Sequence, residues 1–174
     1  MKVLIIEDAP TLAMTYKAYL SDIADDIIIA GTASAGMEAA YEHLPDVIVT
    51  DVNLPDMSGL EVLRTVKAEK LPIETVVVTG NGSINLAVEA MREGAFDFIV
   101  KPMSADRLRV TVRNAAERRI LTKTVETIQD QFSDDRFCDF TGRSLPMQAV
   151  YQILRSAAHS KATVFVTGES GTGK

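Results

Sequence analysis

The sequence predicts an α/β fold: a doubly wound, five-stranded parallel sheet, then a helical linker, then the incomplete start of a second α/β domain built around a phosphate loop. Three observations predict it. Five short runs rich in Val and Ile punctuate the first hundred residues. Segments with helical spacing separate them, joined by short connections, which is the alternation of βαβ units. Further on, "ATVFVT" (162–167) reads as a buried strand and leads straight into a glycine-rich loop.

The five runs are "KVLII" (Lys2–Ile6), "DIIIA" (Asp26–Ala30), "DVIVT" (Asp46–Thr50), "ETVVVT" (Glu74–Thr79) and "DFIVK" (Asp97–Lys101). Their near-continuous apolar character suits strands covered on both faces. Between them, residues 10–23 carry Leu12, Tyr16, Leu20 and Ile23 at intervals of three or four. Residues 34–44 are rich in Ala and Glu. Residues 58–69 open with "SGLE", in which Ser58 and Glu61 match a capping box. Leu60, Leu63 and Val66 follow as an apolar stripe. Residues 83–93 start at Ser83, a good N-cap, and end before Gly94, a good C-cap. Residues 104–119 repeat the scheme from Ser104.

Composition narrows the function classes. The 174 residues are 47% hydrophobic with a net charge of -6, enough for one domain of roughly 100–150 residues and a remainder. The acidic balance argues against non-specific grip on nucleic acid, which needs clustered Lys and Arg. The one cysteine, Cys138, has no partner for an intramolecular disulfide, and no Cys/His cluster has metal-ligand spacing. Nothing resembles a signal peptide, and no apolar run approaches the ~20 residues that span a bilayer. A cytoplasmic location is the expectation.

In doubly wound sheets the ligand sits outside the carboxyl ends of the strands. Those ends carry Glu7 and Asp8 after the first strand, Asp51 after the third, Thr79 at the fourth and Lys101, followed by Pro102, at the fifth. The topology brings three carboxylates, a hydroxyl and an ammonium to one edge. Alone, each has an ordinary explanation: Asp51 as a turn former, Thr79 as a β-branched strand residue, Lys101 as a surface lysine. Together they do not. Ionised carboxylates at close range repel, and a hard cation such as Mg2+ relieves this with carboxylate oxygens as ligands. An Asp carboxylate beside a metal and a lysine is equipped to attack phosphorus and form an acyl phosphate. His43 and His159 have no partners at useful spacing and are read as surface residues.

The stretches "IIEDAP", "VTDVNLPDMSG", "VVVTGNGS" and "DFIVKP" resemble the receiver domain of bacterial response regulators, over residues 1 to about 119. The resemblance implies a flavodoxin-like fold and a role for each matching residue. Asp51 is the phosphoacceptor. Glu7, Asp8, Asp51 and the Asn53 backbone carbonyl hold Mg2+. Thr79 is the switch hydroxyl, Lys101 the phosphate-pairing cation and Phe98 the aromatic switch, and the Lys101–Pro102 bond is cis. Two departures are mild: the acidic pair is Glu-Asp rather than Asp-Asp, and Gly80 stands where Ala is common.

Residues 104–131 contain no Gly or Pro and read as one long helix. Leu108, Val112 and Ala115 suit packing on the first domain. Ile120, Thr124, Ile128 and Gln131 continue a weak stripe, equally compatible with a dimerising helix and a solvated linker. "SDDR" (Ser133–Arg136) breaks the pattern. Met147, Val150, Tyr151 and Leu154 then form an apolar helical face. The loop Gly168, Glu169, Ser170, Gly171, Thr172, Gly173, Lys174 fits G-x-x-x-x-G-K, whose backbone N–H groups wrap phosphates while the Lys reaches the β/γ-phosphates. This tail resembles the start of the AAA+ ATPase domain of sigma-54-dependent activators of the NtrC type. Residues 104–174 look closest to the quorum-sensing regulators of the LuxO type. The expected organisation is therefore a receiver at 1–119, a helical linker at 120–140 and the beginning of an ATPase domain at 141–174, stopping at its phosphate loop.

The resemblance implies a two-component phosphorelay. Its partners would be a sensor histidine kinase or histidine phosphotransfer protein, a sigma-54 RNA polymerase met through the rest of the ATPase domain, DNA met only through a C-terminal domain, and no membrane; a homodimer is compatible with it. ATP is expected as a cofactor only in the full-length protein, because a phosphate loop without the rest of its domain lacks the metal site and base of phosphoryl transfer. This chain is accordingly expected not to hydrolyse ATP. Two rivals remain. An aspartate-nucleophile phosphohydrolase would want a second acid two residues after the nucleophile, where Asn53 stands. A pure interaction module would never take phosphate.

Overall fold

The computed structural model describes residues 1–80, 82–132, 136–137, 140–141 and 145–158. The first compact unit covers Met1–Lys123 and the second begins at Thr124. The first unit is a five-stranded parallel sheet in the order β2-β1-β3-β4-β5, formed by β1 (Lys2–Ile6), β2 (Asp26–Ala30), β3 (Val47–Asp51), β4 (Glu74–Thr79) and β5 (Asp97–Val100). Helices α1 (Pro10–Leu20), α2 (Ala33–His43), α3 (Gly59–Ala68), α4 (Ile84–Arg92) and α5 (Ala105–Phe132) follow the strands in turn. The doubly wound fold expected from the sequence is the fold observed.

The pleat sorts the strand residues into two cores. Val3, Ile5, Val47, Val49, Val76, Val78 and Ile99 pack with Tyr16 and Leu20 of α1 and Leu108, Val112 and Ala115 of α5. Leu4, Ile6 and Ile48 face the other way, against Met37 and Ala40 of α2 and Val62 and Val66 of α3. A third cluster joins Val77 to Leu60 and Leu63 of α3 and Ala90 of α4. The expectation of strands covered on both faces holds in full for β3 and β4, which are buried along their whole length. It fails for β2, an edge strand with Ile29 exposed. An apolar run signals burial, but the end of a sheet has a neighbour on one side only.

Caps explain most helix boundaries. Ser83 accepts from Leu86 N–H at 3.3 Å and Ser104 from Arg107 N–H at 3.2 Å. Gly94, at φ 91°, ends α4: its N–H reaches the Met91 carbonyl and Ala95 N–H the Ala90 carbonyl, which is a Schellman motif. The capping box at α3 is only half made. Ser58 Oγ accepts from Leu60 N–H at 3.2 Å, but the Glu61 carboxylate pairs with Arg64 instead of reaching back. Arg64 draws it sideways, and also binds Glu89 at 2.8 Å on α4. The stripe expected on α1 shifts as well: Ala13, Tyr16 and Leu20 are buried while Leu12 is exposed.

The second unit contains the two-residue strands β6 (Arg136–Phe137) and β7 (Phe140–Thr141), paired antiparallel, and helix α6 (Leu145–Ala158). On α6, Tyr151 is buried, Met147 and Leu154 are half-buried, and Val150 is exposed. The buried side follows i, i+4, i+7, which leaves Val150 at its margin. Cys138, Ser133–Asp135, the strand expected at 162–167 and the loop Gly168–Lys174 lie outside the described residues.

Leu108 is fully buried where α5 meets the sheet. Leu108→Ala is expected to destabilise the first unit by about 2–5 kcal/mol, read from a urea unfolding midpoint.

Candidate functional site

The crevice lies where strand order reverses, between β1 and β3, outside the carboxyl ends of the strands. Asp51 is the last residue of β3, one position further than the sequence suggested, because it still pairs with Val78 in the ladder. Its carboxylate is thus carried by a strand paired in the sheet, and the residue is 7% exposed. Glu7 follows β1 directly, anchored by its N–H to the Ala30 carbonyl at 3.0 Å, and is buried too. Asp8, the next residue, is exposed. One carboxylate oxygen from each of Glu7, Asp8 and Asp51 lies within 4.8 Å of the others.

Lys101 sits just past β5, with its N–H donating to the Thr79 carbonyl at 2.8 Å. The bond to Pro102 is cis. The Lys101 ammonium donates to Glu7 Oε2 at 2.6 Å and to Asp51 Oδ2 at 2.7 Å. Burial works against its charge, but the hydrogen bonds to Asp51 and Glu7 outweigh it and hold Lys101 above the ordinary lysine range. Burial is also the largest influence on Glu7, pushing its carboxyl up against the pull of Lys101. Lys101 is therefore a permanent cation joining two buried carboxylates.

Asp51 Oδ1 accepts from Asn53 N–H at 3.2 Å, and Asn53 itself is exposed. Thr79 ends β4 fully buried, one residue beyond the partner of Asp51 in the ladder. Phe98 does not join the charged cluster. It is half-buried against Val52, Leu60, Leu63, Val77, Ala90 and Ala95, on the side of α4. An added Cβ at Gly80 meets open space, as expected of a permissive position. The acidic triad fits a hard divalent cation: three oxygen donors converge, and the single ammonium leaves a net negative charge.

Two residues that sequence reasoning passed over complete the site. An added Cβ at Gly59 would lie 1.9 Å from the Asp51 carbonyl oxygen and 2.7 Å from Thr50 Oγ1. Gly59 N–H also donates to the Val52 carbonyl at 2.9 Å, closing the loop that follows Asp51. Asp56, midway in that loop, accepts from Ala33 N–H at 2.9 Å, Ser34 N–H at 2.8 Å and Ser34 Oγ at 2.7 Å. It thereby caps the first turn of α2, together with Thr32, which accepts from Ala35 N–H. These bonds to Ser34 and Ala33 hold the Asp56 carboxyl far below the usual carboxylate range. Asp56 belongs to a turn-like "PDMSG" stretch, where only the tertiary contact distinguishes it from an ordinary loop acid.

The fold and this edge define a doubly wound domain with an acidic, lysine-bridged pocket at the carboxyl ends of its strands. The response regulator receiver domain model matches residues 3–113, and the chain belongs to that family. It is 46% identical over 169 residues to the regulatory protein LuxO of Vibrio cholerae, covering 97% of this chain and 36% of that protein. The chain thus spans just over a third of the length of such curated relatives. The crystal structure of the signal receiver domain of the LuxO repressor protein from Vibrio parahaemolyticus superposes with a TM-score of 0.69 at 37% identity, covering 72% of this chain and 96% of that one. The solution structure of the beryllofluoride-activated NtrC4 receiver domain dimer gives 0.64 at 30% identity, covering 68% and 98%. No helix among the described residues is long and apolar enough to cross a membrane.

Two outcomes are expected. In Gly59→Ala a methyl group meets backbone that has no flexible end to yield, so stability falls by about 1–3 kcal/mol or more, measured by urea denaturation. Asp56 has a depressed carboxyl in the folded state, so its stabilisation is complete above the unfolded value near ~4 and is lost as pH falls below it. Between about pH 6 and about pH 3 the melting temperature of the wild type should drop further than that of Asp56→Asn. Equal drops would show that Asp56 does not carry this pH dependence.

Proposed function

We propose that this chain is a phosphoacceptor switch, with Asp51 as the acceptor. The carrying observation is the Lys101 ammonium, just past β5, bridging Glu7 and Asp51 inside a three-carboxylate cluster at the ends of β1 and β3. Donors of the phosphoryl group would be a phosphohistidine on a sensor kinase or on a histidine phosphotransfer protein. An Asp51 carboxylate oxygen attacks phosphorus, the P–N bond to the donor imidazole breaks, and its electron pair leaves on nitrogen. Glu7, Asp8, Asp51 and the Asn53 carbonyl would hold Mg2+, which when bound neutralises charge on the phosphoryl oxygens. Lys101 lets go of a carboxylate and pairs with a phosphoryl oxygen. Thr79 donates its hydroxyl to another, and Phe98 moves with it. Each such contact is stronger for the charge of the acyl phosphate than for the bare carboxylate, so phosphorylation shifts the population of domain states.

In this reading residues 1–119 are the receiver, 120–140 the linker and 141–174 the opening of an AAA+ ATPase domain whose phosphate loop is Gly168–Lys174. The switch would govern a sigma-54-dependent activator, in quorum sensing by analogy with the LuxO proteins. ATP turnover, sigma-54 polymerase contact and DNA binding belong in this reading to the full-length protein, of whose relatives the chain spans just over a third. The dimer named for the NtrC4 receiver supports a homodimer as the assembled form. A cytoplasmic setting fits a phosphorelay. Asn53, which stands where a phosphohydrolase needs its second acid, disfavours the hydrolase alternative.

Incubated with Mg2+ and a small-molecule phosphodonor, the chain is expected to gain one phosphoryl group by intact mass, and Asp51→Asn is expected to gain none. Rapid donor turnover with no adduct would identify a phosphohydrolase, and neither adduct nor turnover would identify a contact module.

A further inference from the structure

We propose that Tyr16 is a positioning residue for Lys101, its ring face fixing where the ammonium sits beside Asp51. The inference rests on the phosphoacceptor reading above. Tyr16 lies on α1 on the line Ala13, Tyr16, Leu20 that enters the core, and is 4% exposed. The other buried members of its cluster are aliphatic, Val3, Ile5 and Leu20 among them. An aliphatic side chain would fill such a place. Instead a ring stands with its centroid 5.8 Å from the Lys101 ammonium nitrogen, within cation–π range. Burial pushes the Tyr16 phenol up and the Lys101 charge pulls it down, so ring and ammonium share one electrostatic environment.

Lysine needs such a contact here. Its stem has four rotatable carbons, and a flexible cation is a poor catalyst unless it is held. Beside Lys101 opens a cavity of about 320 Å³, lined also by Leu12, Thr15, Tyr19, Pro102 and Met103. That space would admit the ammonium whenever it releases a carboxylate. Glu7 and Asp51 hold it in the resting domain, at 2.6 and 2.7 Å. Phosphoryl transfer changes the charge and contacts of Asp51. The Tyr16 ring is neutral and packed into the core by α1, so its attraction for the ammonium persists across the step. It supplies the constant contact while the carboxylates exchange theirs.

The experiment follows phosphorylation of the full chain by intact mass, with Mg2+ and excess phosphoramidate as donor. Tyr16→Leu is expected to slow adduct formation about threefold to tenfold. Restoring a ring in Tyr16→Phe is expected to bring the rate back. In a Lys101→Met background Tyr16→Leu should add no further slowing, a result that lost packing would not give. A wild-type rate in Tyr16→Leu, or equal slowing in both backgrounds, overturns the proposal. Should the Leu variants fail to fold, the wild-type chain still decides by NMR. The Lys101 ε-methylene protons are expected upfield of those of the other lysines through the ring current, and an unshifted signal overturns the geometry. A wild-type chain that takes no phosphoryl group removes the phosphoacceptor reading and this inference with it. A phosphorylated wild type with an unaffected Tyr16→Leu removes the inference alone.

Discussion

Lys101 is the charge on which the site depends. Glu7 and Asp51 are both buried, and burying ionised carboxylates together is costly without a counter-charge. One ammonium at 2.6 and 2.7 Å from the pair makes their coexistence tolerable, and the raised affinity of Lys101 for its proton is the same fact seen from the lysine. The remaining imbalance, with Asp8 at the rim, leaves the crevice net negative. The sheet makes this arrangement possible. Parallel register delivers the carboxyl ends of β1 and β3 side by side, and the bond from Lys101 N–H to the Thr79 carbonyl sets the lysine beside β4.

The loop after Asp51 is the second constraint. A phosphoacceptor at the end of a strand needs a chain that turns away without covering it. Gly59 allows the first residue of α3 to pack directly on the Asp51 carbonyl, and Asp56 ties the middle of the loop to the start of α2. The loop is therefore held at both ends and at its centre. Its backbone is committed to structure, which leaves the Asp51 and Asn53 positions fixed relative to β1. Gly59 and Asp56 touch no phosphoryl group in the proposed function, yet both set where Asp51 stands.

Much of this was legible in the sequence, for physical reasons. Strand cores are Val- and Ile-rich because both faces are covered, so β1, β3 and β4 announce themselves. Doubly wound topology then forces residues at strand ends together, which is why Glu7, Asp8, Asp51 and Lys101 were foreseeable as neighbours although they are far apart in sequence. What escaped was whatever depends on a tertiary partner. Leu12 looked like core, but Ala13 takes the inward place on α1. Glu61 looked like a capping residue until Arg64 captured it. Asp56 read as a turn acid because its partners, Ala33 and Ser34, are 23 and 22 residues away. Tyr16 read as one more apolar residue, since nothing in a helical stripe says that a lysine from β5 will lie over it. Gly59 was read within a capping motif, and its close approach to Asp51 needs the fold to be seen.

The switch reading also bears on where a change at Asp51 would be expressed. Helix α4 buries only Ala90, while Ile84, Val88 and Met91 are exposed. By contrast α3 buries five residues, Gly59, Leu60, Val62, Leu63 and Val66. Displacing α4 therefore sacrifices little apolar burial, and the elements that move in regulation come from the weakly packed end of a structure. Among the described residues, the apolar cluster containing Phe98 and the ion pairs from Arg64 to Glu89 and Glu93 help hold it. Exposed pairs of that kind contribute little each. Phe98 is half-buried in the cluster that contains Ala90 of α4, so in the proposed switch it would carry a shift at Thr79 to the helix. Apolar burial is dense around Asp51 and sparse around α4, a distribution that suits the proposed switch: a well-held acceptor beside a surface that costs little to displace.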